Sequence, residues 1–149
     1  MKYQLAQLNI ARMLAPLEDP IMAGFVSRLA DINQLADRSA GFIWRLQDSE
    51  GNASSLRPFE EDMLIINMSV WQDFESLKAF TYQTVHTEVM RQRKKWFEHF
   101  EKPYMVLWWV PAGHYPGVDE AIQKLEALQN DGPTPEAFNF RTPFSAPKS

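Results

Sequence analysis

Polar and apolar positions alternate loosely from Tyr3 to Met13, a period of two that suits a β-strand. The period then lengthens. After the break at "APLEDP", Met22, Phe25, Val26, Leu29, Ile32 and Leu35 recur at helical spacing, so a helix is expected from Pro20 to about Ser39. Asp19 before Pro20 makes a good helix start, and Gly41 is the expected stop. "GFIWRLQD" (41–48) reads as a second strand and "MLIINMSVW" (63–71) as a buried third, with the polar connection 49–62 between them. Asp73 opens a helix whose pattern runs to about Phe100. A nearly continuous apolar strand follows at 102–114, stopped by Pro111 and Gly113. Val118, Ala121, Ile122, Leu125 and Leu128 mark one more amphipathic helix, before a tail rich in proline and aromatics that is expected to lie as an extended strap.

The order β-α-β-β-α-β, with a C-terminal helix and tail, predicts an α+β fold of the ferredoxin-like type, with an antiparallel sheet and both main helices on one face. One domain over 1–149 is expected, with 113–149 as its C-terminal helix and strap, because no linker or repeat divides the chain. The strands look apolar on both faces: Ile43 sits between Phe42 and Trp44, and Trp108 between Leu107 and Trp109. Helices on one face would leave much of the other exposed. The economical solution is a homodimer in which two sheets close into one barrel.

The stretch "KAFTYQTVHTEVMRQRKKWFEHF" (78–100) concentrates the functional question. Projected at about 100° per residue, Val85, Val89, Met90, Trp96, Phe97 and Phe100 fall in one arc, while Arg91, Lys94, Lys95, Glu98 and Glu101 fall opposite. Most of "RQRKK" is therefore a solvated face and not a nucleic-acid surface. His86 and Arg93 project into the apolar arc, with Tyr82 one turn before His86. An unpaired charge in a core is costly, so these residues either line a pocket beneath the helix or pair with the sheet.

Composition narrows the function classes. With 45% hydrophobic and 13% aromatic residues the chain is globular. A formal net charge of −4 argues against nucleic acid and anionic membranes as partners. There is no cysteine, which excludes disulfides, thiolate metal sites and cysteine nucleophiles. No window approaches the ~20 apolar residues of a membrane span, and no secretory h-region is visible, so a cytoplasmic protein is expected. His99 and His114 have no metal-ligand spacing with His86, so no metal site is expected. Nucleotide-binding glycine loops and a GxSxG elbow are absent, and Ser69 has no recognisable partner.

"INMSVWQDFESLKAFTYQTVH" resembles the strand-to-helix transition of the dimeric α–β barrel superfamily, which includes the antibiotic-biosynthesis monooxygenases and small haem-degrading monooxygenases. "YMVLWWVPAGHYPGVDEAIQKLEAL" followed by "GPTPEAFNF" resembles a domain-of-unknown-function family within that superfamily, over nearly the whole chain. The resemblance implies a homodimer that binds a small hydrophobic or aromatic molecule, and a cofactor-independent monooxygenase activity. On that scheme His86 is the general base, Tyr82 orients it or donates to substrate, and Asn9 or Asn67 stabilises a substrate oxyanion. Trp44, Arg93 and Trp108 complete the expected substrate-binding set. One alternative is a non-catalytic ligand-binding or stress-related barrel. A second uses haem, with His86 as iron ligand. Asn9 matches the haem-degrading pattern, whereas Phe80 stands where those relatives carry Trp and His86 sits about a turn from the ligand position.

Overall fold

The computed structural model describes residues 2–46, 63–82, 91–99 and 102–147. Strand β1 (Tyr3–Arg12) leads through a 3-10 turn (Pro20–Met22) into α1 (Ala23–Arg38), then β2 (Phe42–Arg45) and β3 (Leu64–Trp71). Helix α2 (Phe74–Thr81), a second 3-10 turn (Arg93–Lys95), β4 (Met105–Pro111) and α3 (Val118–Asp131) follow. The Asp19 and Asp73 carboxylates accept from the backbone N–H groups of Ile21 and Ser76, so both expected helix starts are built as side-chain caps. The sheet order is β2-β3-β1-β4 with every pair antiparallel, the ferredoxin-like arrangement.

Register decides what each face carries. Gln7 lies opposite Ser69 and Leu107, Asn9 opposite Asn67 and Met105, and Leu5 opposite Trp71 and Trp109, so these residues share one face. Phe25 and Ala36 of α1, Leu77 of α2 and the buried Trp96 and Phe97 pack on that side. Ala6, Leu8, Ile10, Val106, Trp108 and Val110 point the other way, onto Ala121, Leu125 and Leu128 of α3. The second apolar face is thus covered in part within the chain, while Ile43 and Trp44 on the edge strand β2 stay half-buried. The tail guards the other edge: Phe138 exchanges two 2.8 Å backbone hydrogen bonds with Leu107 and is fully buried.

The helix expected from Asp73 to Phe100 is not continuous. It ends at Thr81, with Tyr82 as its cap, and residues 83–90 lie outside the described ones. Phe97 forms a β-bridge with Met13, and the Leu14 N–H donates to the Trp96 carbonyl at 2.8 Å. The apolar arc correctly placed Trp96 and Phe97 in the core, but pairing with the end of β1 replaces helix there. Tertiary contact overrides a periodic pattern.

Candidate functional site

Between the first sheet face and α1 and α2 lies a cavity of about 880 Å³. Its floor is a polar cluster that strand alternation assembles from β1 and β3. The Gln7 amide donates to Asn67 Oδ1 at 2.7 Å and to Ser69 Oγ at 2.8 Å, and Asn9 Nδ2 donates to Gln7 Oε1 at 3.2 Å. Ser69 Oγ also accepts from Trp71 Nε1 at 2.8 Å. Gln7 and Ser69 are buried, and their mutual bonds satisfy groups that would otherwise cost about 1–3 kcal/mol each. The cluster leaves two groups over: the Asn67 side-chain NH2 and Asn9 Oδ1 make no hydrogen bond among the described residues. Both residues line the cavity.

The walls are apolar, with Phe25, Leu29, Ile32 and Ala36 from α1, Leu77 and Phe80 from α2, and Trp71 and Phe140. Arg93 lines the cavity beside Phe97 and Tyr104. Its guanidinium carbon lies 4.3 Å from the Tyr104 ring centroid and 5.4 Å from that of Phe97. Burial pushes the Arg93 pKa down, and the neighbouring Tyr104 opposes this in part.

Of the residues expected to form the site, Asn9, Asn67, Arg93 and Tyr82 line this cavity. Tyr82 does so from the end of α2 and is 64% exposed. His86 lies outside the described residues. Trp44 and Trp108 belong to the opposite face. Trp44 pairs with Val70 and stacks on Tyr115 at 5.3 Å, and Trp108 Nε1 donates to Glu120 Oε2 at 2.9 Å beneath α3. Glu120 Oε1 is in turn 2.7 Å from His114 Nε2, so both tryptophans anchor the segment between β4 and α3. The physical reason is parity: Asn9 opposes Met105, and Trp108 stands an odd number of residues further along β4. Sequence reasoning passed over Gln7, Ser69 and Trp71. Their signal was the same alternation, since Gln7 precedes Asn9 and Ser69 follows Asn67 by two. Ser69, expected to lack partners, has two.

Among the described residues, no group of three His, Cys, Asp or Glu side chains could hold a metal ion. No described lining residue is a histidine, so the described wall offers haem no imidazole ligand and no step is derived through it.

A family model described as "Domain of unknown function (DUF3291)" matches residues 4–149. The chain belongs to the DUF3291 family. No curated protein matches its sequence. Among solved structures, a variant of SnoaB, a cofactor-independent oxygenase from Streptomyces nogalater, is 14% identical, with 75% of this chain and 95% of that one covered and a TM-score of 0.50. A Nitrosomonas europaea protein, provisionally assigned as an antibiotic biosynthesis monooxygenase, is 8% identical over 78% of this chain and 97% of its own, with a TM-score of 0.51. A protein from Shewanella oneidensis is 10% identical over 74% and 91%, also at 0.51. At such identities the likeness is one of fold: this DUF3291 chain shares the ferredoxin-like architecture of these structures. No described helix is long and apolar enough to cross a membrane.

Proposed function

We propose that the cavity binds a small, largely apolar aromatic molecule and oxidises it with O2 without a cofactor. The observation that carries this reading is the Asn67 NH2, unpartnered among the described residues, on the floor of an apolar-walled cavity. A donor held there by the Gln7–Ser69 network is pre-oriented to accept negative charge on a substrate oxygen, and needs no reorganisation as the charge develops. Asn67 is solvent-exposed, so it is the apolar body of a bound substrate, packed against these walls, that expels water, strengthens that interaction and shields a reactive carbanion. SnoaB, a cofactor-independent oxygenase, is built on a similar fold, although a fold alone does not fix a reaction.

The reaction class is oxidation of an activated methylene. His86 takes a proton, the enolate oxygen rests on Asn67, and the carbanion adds O2 to give a hydroperoxide that loses water. One methylene group and one molecule of O2 thus yield one ketone carbonyl and one molecule of water, with no external reductant. Oxygen uptake with a panel of anthrones and phenols tests the reading. His86→Ala is expected to lower turnover by at least ~100-fold with substrate affinity retained, the size of a lost general base. Saturable binding without oxygen uptake for any substrate favours the alternative, a barrel that only sequesters its ligand.

Self-association is part of the same proposal. Ile43 and Trp44, half-buried on the β2 edge, supply apolar surface that a second copy would cover. Light scattering is expected to give twice the chain mass, and the chain mass itself at micromolar concentration contradicts it.

A further inference from the structure

We propose that the ligand of this cavity is an amphipathic carboxylate, its apolar body against α1 and its carboxylate paired with Arg93. The inference rests on the small-molecule reading above and adds the charge of the ligand.

Three observations carry it. Arg93 lines the cavity, half-buried, and its buried Nη2 has no hydrogen-bond partner, so among the described residues the guanidinium has no counter-charge of its own. Guanidinium groups out of water are stable only when paired, and the Tyr104 and Phe97 rings supply π faces but no anion. Second, the described lining contains Arg45, Arg93, Lys102 and Arg141 and no aspartate or glutamate, in a chain whose formal net charge is −4. A one-signed lining in a protein of opposite net charge focuses anions into the cleft. Third, Asp37 compensates only Arg45 of this set, at 3.0 Å, and Glu98 meets Arg12 at 3.5 Å, so among the described residues no ion pair neutralises Arg93, Lys102 or Arg141. The missing counter-charge is therefore expected from the ligand, and a planar carboxylate matches the guanidinium fork. Outside the polar floor most of the remaining lining is aliphatic or aromatic, which favours a ligand with an apolar body over a small hydrophilic anion.

The test compares 1-naphthoate with 1-naphthylmethanol, a neutral probe of similar size, by calorimetry at about pH 7, where a carboxylic acid is ionised. The wild-type protein is expected to bind naphthoate at least about tenfold tighter than the alcohol, as a charge-assisted hydrogen bond implies. Arg93→Met keeps the apolar stem and is expected to bring the two probes within about threefold of each other, whatever its effect on their common affinity. Equal wild-type affinities, or a preference that survives in Arg93→Met, overturn the inference. The wild-type comparison decides it alone if the variant does not fold. Alcohol binding without a preference for naphthoate removes the carboxylate and leaves the proposed function standing; binding of neither probe removes both.

Discussion

Trp71→Ala is expected to destabilise the protein by about 3–5 kcal/mol, the range for deleting a large buried aromatic. Trp71 is fully buried at the end of β3. Its ring meets Phe42 edge-on at 5.4 Å and stacks on Phe80 at 5.0 Å, so it joins β2, β3 and α2. Its indole N–H is one of two donors on Ser69 Oγ, which places it behind the polar floor as well. In a chain of this length the melting temperature should fall by roughly 10 °C or more. Trp71→Phe keeps most of the packing and loses the hydrogen bond, and should cost about 1–2 kcal/mol. Chemical denaturation of both variants checks the pair. A cost below about 1 kcal/mol for the alanine variant would mean that the Phe42–Trp71–Phe80 cluster is not part of the core.

Gly41→Ala is expected to cost about 2–4 kcal/mol by two separable effects. Gly41 has φ +84°, where a side chain adds about 1 kcal/mol of backbone strain. Its added Cβ would also overlap the Cβ and Oγ of Ser76, in the first turn of α2. That turn cannot retreat easily, since the Ser76 N–H is bound to Asp73 Oδ1 at 2.8 Å and the Gln72 N–H to the Gly41 carbonyl at 2.6 Å. Gly113 separates the effects: its φ is +92° but nothing lies within 4 Å of an added Cβ. Gly113→Ala should therefore show the strain alone, and adding Ser76→Gly to Gly41→Ala should recover the steric part. Equal costs for the two single variants would contradict the close approach of β2 to α2.

Most of the architecture is legible in the sequence because the signals are local. Alternation around β1, the apolar runs of β3 and β4 and the caps at Asp19 and Asp73 each specify an element without reference to the rest. Helix α2 shows where local reading stops. The spacing of Val85 to Phe97 continues the period, yet Phe97 pairs with Met13, far back in the chain, and no local rule contains that contact. The site was half legible for a related reason. Asn9 and Asn67 stand out as polar residues in apolar strands, but their role depends on the register that sets them opposite each other and beside Gln7 and Ser69. Trp44 and Trp108 drew attention as aromatics, and only the parity of strand pairing sends them to the face under α3 and Tyr115. Arg93 was legible as a charge on an apolar arc. That its Nη2 lacks a partner among the described residues is a property of three dimensions.

The most direct test of the proposed site is a crystal structure of the protein saturated with 1-naphthol. The ring is expected between α1 and the β1–β3 floor, with its oxygen within hydrogen-bond distance of Asn67 Nδ2. An empty cavity, with the probe seated instead against Trp44 and Tyr115 or absent altogether, would contradict it.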